Sequence, residues 1–138
     1  MITSLGIIEG YYGRIYTEAE RQSLISFISD IGYSYYIYAP KNDCSLRLKW
    51  DDKFSKEKID FLKRLSLYCK NNSIEFGIGI SPLAITSDLK KYLPILLNKV
   101  DFFVKNKEDE KNANIHIGRK ERNRKEFSCN GFMPERKY

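Results

Sequence analysis

Short apolar runs alternate with longer stretches in which apolar residues recur every three or four positions, and this alternation repeats along the first hundred residues. Leu5–Ile8 is small or apolar with no helical period and predicts a short buried strand. The stretch Glu9-Gly10-Tyr11-Tyr12-Gly13-Arg14 that follows is turn-rich. Thr17-Glu18-Ala19-Glu20 has the form of a capping box, in which the Thr oxygen and the Glu carboxylate satisfy free backbone N–H groups. Beyond it Leu24, Ile25, Phe27, Ile28 and Ile31 predict the inner face of a helix, and Gly32 is placed to end it in a left-handed turn.

The same order recurs. Tyr35–Ala39 is aromatic and β-branched enough for a second strand, closed by Pro40. Ser55 can cap a helix whose inner face is Ile59, Leu62, Leu65 and Cys69, with Asn71 and Asn72 at its end. Glu75–Ile80 predicts a third strand, closed by Ser81-Pro82. A third helix is expected from Ser87, with Leu89, Leu93, Leu96, Leu97 and Val100 inward. Pro94 falls inside it, and an interior proline costs about 3 kcal/mol; two short helices, the second opening at Pro94, are the alternative. Asp101–Val104 is a candidate fourth strand.

Strand-then-helix units in series predict an α/β fold with a parallel sheet. A doubly wound sheet and a barrel both fit that pattern. Each strand ends in a polar or turn cluster, at the carboxyl end where parallel sheets of either kind bind ligands. No Gly-x-Gly-x-x-Gly or phosphate loop follows any strand, which counts against a nucleotide fold. A complete eight-fold barrel takes about 250 residues, and this chain has 138. Residues 1–104 are therefore expected to form the first three to four βα units of an incomplete (β/α)8 TIM barrel. Residues 105–138, polar and charge-dense, are expected to be an irregular basic tail, with Ile115-His116-Ile117-Gly118 a lone strand candidate. An open parallel edge needs cover, so another chain completing the sheet is an expected partner.

Composition alters this little. With 42% hydrophobic and 30% charged residues the chain reads as a soluble domain. No apolar run approaches the roughly 20 residues of a membrane helix. No signal segment is visible, and Cys44, Cys69 and Cys129 show no metal or redox spacing, so reduced thiols and a cytoplasmic location are expected. The net charge of +6 is concentrated in residues 105–138, which hold ten Lys and Arg against six Asp and Glu. A basic arm at Arg119–Lys125 could neutralise phosphates, but no nucleic-acid motif accompanies it, and nucleic acid is set aside. His116 has no Cys or carboxylate at ligand spacing, so no metal site is expected.

Two segments carry a family resemblance. Gly6-Ile-Ile-Glu-Gly-Tyr-Tyr-Gly-Arg-Ile-Tyr16 resembles the opening of glycoside hydrolase family 84, the β-N-acetylglucosaminidases that include O-GlcNAcases and hyaluronidase-like enzymes, where the strand reads Gly-(apolar)-(apolar)-Glu-Gly-Phe-Tyr-Gly-Arg-Pro-Trp. Tyr36-Ile-Tyr-Ala-Pro-Lys-Asn-Asp43 is similar to that family's second strand, Tyr-(apolar)-Tyr-Ala-Pro-Lys-Asp-Asp. Arg47 with Trp50, and Phe76–Pro82, fall where the family has an Arg followed by Trp and a third strand ending in Ser-Pro-Gly. The resemblance covers roughly residues 5 to 85. It implies a (β/α)8 catalytic barrel and, as substrate, an N-acetylglucosamine-containing glycan or glycoprotein. It also implies two substrate-binding positions: Gly10, whose carbonyl meets a sugar hydroxyl, and Lys41, whose ammonium reaches the same sugar. From the residues alone, Gly10 can equally be a turn residue with φ > 0, and Lys41 a solvated lysine.

The family's mechanism is substrate-assisted: the acetamido oxygen of the sugar attacks the anomeric carbon, so no enzyme nucleophile and no cofactor are implied. Two adjacent aspartates after the fourth strand orient the acetamido group and serve as general acid and base. The one Asp-Asp pair here, Asp51-Asp52, lies in the loop after the second strand, and Asp109 sits between Glu108 and Glu110 in a charged stretch. No catalytic residue is therefore assigned. Asn42 replaces an Asp, Ile15-Tyr16 replaces Pro-Trp, and Leu83 replaces a Gly. The expected function is that of a truncated β-N-acetylglucosaminidase, inactive alone; the alternative is a non-catalytic carbohydrate-binding or partner-completed module.

Overall fold

The computed structural model describes residues 4–83, 85–105 and 113–117. Strand β1 (Gly6–Glu9) leads to helix α1 (Glu18–Asp30), then β2 (Tyr35–Tyr38), α2 (Lys56–Asn71), β3 (Glu75–Ile80), α3 (Leu89–Lys105) and β4 (Ala113–Ile117), with 3-10 turns at Cys44–Leu46 and Ile85–Ser87. The strands form one parallel sheet in the order β1-β2-β3-β4. A doubly wound sheet reverses its order at a switch point. The described strands run one way without reversal.

Local chemistry explains the element ends. Thr17 caps α1 with a full capping box: its hydroxyl accepts from the Glu20 N–H, and the Glu20 carboxylate accepts from the Thr17 N–H. Gly32 follows with φ 83°, the left-handed conformation that costs a glycine least. Ser55 caps α2 and Asn72 closes it. One buried cluster runs through α1, β2, α2, β3 and α3, built from Ile25, Tyr36, Leu65, Phe76 and Leu96 among others. Tyr36 lies beside Phe76 in register, with the two rings stacked at 6.4 Å. On the other face, residue pairs are small and close: a Cβ added to Gly79 would stand 2.7 Å from that of Ala39.

Several expectations change. The third helix is one continuous α3 and begins after Asp88, whose carboxylate accepts from the Lys91 N–H, rather than at Ser87. Pro94 is tolerated because it is exposed, as is Lys90, whose carbonyl loses its i+4 donor to the proline and can take water instead. The inner face of α3 is Leu96 and Lys99, with Tyr92, Val100 and Phe103 packed beside them; Leu89, Leu93 and Leu97 are exposed. Asp101–Val104 is the end of this helix and not a strand, because its apolar residues continue the helical period set by Tyr92 and Leu96. The fourth strand is Ala113–Ile117, which overlaps the lone strand candidate Ile115–Gly118 in the segment otherwise expected to be irregular. On α1, Phe27 and Ile31 are exposed while Ile25 and Ile28 are fully buried. Of the three expected thiols, Cys69 is free and buried, and Cys129 lies outside the described residues.

Replacing Thr17 with Ala should cost about 1 kcal/mol in urea unfolding, the usual loss for an N-cap. The Arg14 and Thr17 hydrogen bonds hold the Glu20 carboxyl down to about 2, from 4.5. A folded pKa below the unfolded one contributes stability that is complete above 4.5 and disappears as pH falls through about 2. Glu20→Gln should therefore flatten the acid limb of the melting-temperature profile in that window, and an unchanged limb would count against this cap.

Candidate functional site

The carboxyl ends of β1 and β2 lie side by side, with Glu9 in register with Tyr38. Glu9 is the last residue of β1 and is 0% exposed. Its two carboxylate oxygens accept from Arg21 of α1, Nη2 at 2.7 Å and Nε at 2.9 Å. The Tyr36 hydroxyl donates to the same carboxylate, and Arg21 also donates to the Tyr16 carbonyl. The guanidinium lies 5.0 Å from the Tyr38 ring centroid. Burial, followed by the Glu9 charge, pushes the Tyr36 hydroxyl well above its ordinary range, so it stays a donor.

A second buried pair stands one strand over. Asp43 accepts from the Tyr38 hydroxyl at 2.7 Å, from the Ser45 N–H and hydroxyl, and from Lys58 of α2. Burial opposes ionisation of Asp43, but the Lys58 charge and these hydrogen bonds prevail and its pKa falls below the usual range. Burial also lowers the pKa of Lys58. The carboxylate is the better satisfied member of the pair, so the charged pair is the state the geometry favours.

Gly10 follows Glu9, and its N–H donates to the Ile8 carbonyl at 2.7 Å. Among the described glycines, positive φ falls at Gly13 and Gly32, not at Gly10. A Cβ on Gly10 would meet Ile8 at 3.5 Å, an ordinary contact. The backbone therefore does not demand glycine at position 10, whereas it does at Gly13, where φ is 124°. Lys41, half-buried, is fixed through its backbone: its N–H donates to the Tyr11 carbonyl at 3.3 Å and its carbonyl accepts from Arg47 at 3.1 Å. The loops after β1 and β2 are tied again where Asn42 donates its side-chain amide to the Gly13 carbonyl, a bond that the family's aspartate could not donate. The structure thus brings the Gly10 and Lys41 segments together at one end of the sheet.

Other expected positions are structural. Trp50 is 2% exposed and its indole N–H donates to the Leu83 carbonyl at 2.9 Å; Leu83 packs against the core. Asp51 is half-buried and Asp52 exposed, and neither follows a strand. Asp109 and the Arg119–Lys125 arm lie outside the described residues, and His116 stands in β4 in register with Gly79. A cleft of about 560 Å³ opens on the helix side between Tyr16, Arg21, Tyr38, Asp43, Lys58 and Phe61. Its charges are already spoken for, since Arg21 pairs with Glu9 and Lys58 with Asp43. Among the described residues no group of three or more His, Cys, Asp or Glu could hold a metal, and no helix is long and apolar enough to cross a membrane.

The sequence reading missed Arg21 and Lys99 as buried cations and Lys58 as a half-buried one. Their signal was present: Arg21 continues the Ile25 and Ile28 stripe of α1, and Lys58 continues Leu62, Leu65 and Cys69 on α2.

Residues 5–107 match the β-N-acetylglucosaminidase family. The chain is 34% identical over 97 residues to Protein O-GlcNAcase of Rattus norvegicus, and equally to that of Mus musculus, covering 70% of this chain and 11% of each relative. Among solved structures it resembles a mutant of the Thermobaculum terrenum O-GlcNAc hydrolase, with a TM-score of 0.69 and 30% identity over 74% of this chain and 22% of that one. CpGH84B shares the fold at a TM-score of 0.69 and 24% identity, over 84% of this chain and 21% of its own. The chain thus spans about a tenth of the curated relatives and about a fifth of the solved ones.

If Glu9 serves the fold, Glu9→Gln leaves Arg21 buried without its counter-charge and should cost about 3–5 kcal/mol in urea unfolding. A loss below about 1 kcal/mol would mean that Glu9 is free for other work.

Proposed function

This chain belongs to glycoside hydrolase family 84, the β-N-acetylglucosaminidases, and on that premise we propose that it is the sugar-recognising front part of such an enzyme, without the groups that cleave. In this reading residues 1–104 are the first units of a (β/α)8 barrel, and the Gly10 carbonyl and the Lys41 ammonium contact one N-acetylglucosamine of a glycan or glycoprotein. The observation that carries the reading is at Gly10. The conformation there suits any residue, so the glycine does not serve the backbone, and its missing side chain leaves the space a sugar ring would occupy.

Lys41 supports it from the neighbouring strand. Its backbone is held at both its N–H and its carbonyl, so the side chain starts from a fixed point, which lowers the entropy lost on binding. Hydrolysis in the family's manner would need two adjacent carboxyl groups beyond the fourth strand, one to orient the acetamido group and one to move the proton. The sequence after β4 is Gly118-Arg119-Lys120, and it offers neither. The chain alone is thus proposed to bind the sugar without turning it over, with no cofactor and in a cytoplasmic setting.

A partner-completed module is the second reading. Ile8, in the middle of β1, is 56% exposed and Leu5 before it is 53% exposed, apolar surface that a further strand would cover.

Gly10→Ala should leave the melting temperature unchanged yet weaken N-acetylglucosamine binding by about tenfold, roughly 1.4 kcal/mol. Lys41→Met should do the same, by calorimetric titration at constant salt. A chromogenic β-N-acetylglucosaminide should not be turned over by any of these proteins. Equal affinity in wild type and both variants, or no affinity in the wild type, would sink the binding reading; turnover would sink the claim of inactivity.

A further inference from the structure

Lys99 stands on the inner stripe of α3 and is 8% exposed. Its ammonium donates to two main-chain carbonyls, those of Trp50 and, at 2.6 Å, Asp52. It also lies 4.1 Å from the centroid of the Phe54 ring. The charges of Asp51, Asp52 and Asp43 act on it from farther away, and burial holds its pKa below the usual lysine range. An ammonium placed in such surroundings is costly unless its donors are used. Here they gather one loop, much as a bound cation gathers carbonyls.

That loop runs from Cys44 to Asp52 and reaches the ends of two strands. Arg47 donates to the Lys41 carbonyl at 3.1 Å, beyond β2. The Ser81 N–H, beyond β3, donates to the Leu46 carbonyl at 2.9 Å. The Trp50 indole donates to the Leu83 carbonyl, also at 2.9 Å. A single segment therefore bridges the carboxyl ends of β2 and β3, and its far side is anchored on α3 through Lys99. We propose that Lys99 is a positioning residue: its ammonium sets the conformation of the 44–52 loop, and through that loop the placement of Lys41 and of the Ser81–Leu83 segment. The consequence for sugar affinity rests on the reading of Lys41 given above; the consequence for the loop does not.

Trp50 is the single tryptophan of the chain, so its emission reports on this loop alone. Lys99→Met keeps the length of the stem over Phe54 and removes the charge and the donors. It should shift Trp50 emission to the red, raise amide hydrogen exchange across residues 44–52 and weaken N-acetylglucosamine binding by about fivefold. Lys90→Met, on the exposed face of the same helix, should change none of these. Lys99→Gln, with a neutral donor, should give an intermediate shift; if the Met variant loses its cooperative melt, the Gln variant carries the test. Unchanged emission and exchange in the folded variant overturn the proposal. A loss of affinity without any change at Trp50 also overturns it, because the effect would not travel through the loop. If the wild type binds no sugar, the functional reading fails while emission and exchange still decide the role of Lys99.

Discussion

Glu9 and Arg21 are buried together, and much of the carboxyl end of this sheet follows from that pairing. Neither ion is easily buried there alone, since removing one partner of a buried pair leaves a charge that costs several kcal/mol. Satisfying both demands that the end of β1, the second turn of α1 and the hydroxyl of Tyr36 on β2 meet at one point. The requirement fixes how α1 lies on the strands. Asp43 and Lys58 repeat the device between the β2 loop and α2, and the Tyr38 and Phe61 rings lie between the two cations. Two ion pairs and two aromatic residues thus form a polar layer behind the loops.

That layer bears on what the family's motif residues do. A carboxylate at the end of a strand invites a catalytic reading, and both Glu9 and Asp43 occupy such places. Each is saturated by donors from its own scaffold, and Tyr36 and Tyr38 are held protonated by burial and the carboxylates they serve. The sugar contacts proposed above, Gly10 and Lys41, lie in the loops just beyond that layer.

Much of this was legible in the sequence, for local reasons. The Thr17 capping box, the Gly32 turn, the Ser55 cap and the third strand depend on neighbours a few residues away, and all formed as the spacing indicated. Strand order was not legible, because it depends on which hydrophobic face covers which strand. The inner face of α3 was misread in part because three of its four leucines are exposed: Lys99 takes a core position that a hydropathy pattern assigns to an apolar side chain. Its partners, the carbonyls of Trp50 and Asp52, are invisible to any reading of side chains. At Gly10 the sequence left turn and ligand contact open, and the backbone there lies outside the left-handed region that would call for a glycine.

The one-way order of the sheet has a consequence for how such a chain is made. Each strand pairs with the strand next to it in sequence, so the sheet can lengthen at one edge while the chain is still leaving the ribosome. β1, α1 and β2 can close their polar layer before β3 has been synthesised, and each later unit docks on a surface already built. Local, sequential assembly of this kind keeps exposed intermediates short-lived. It also makes each unit boundary a place where genes can be broken, extended or joined without disturbing the part already folded.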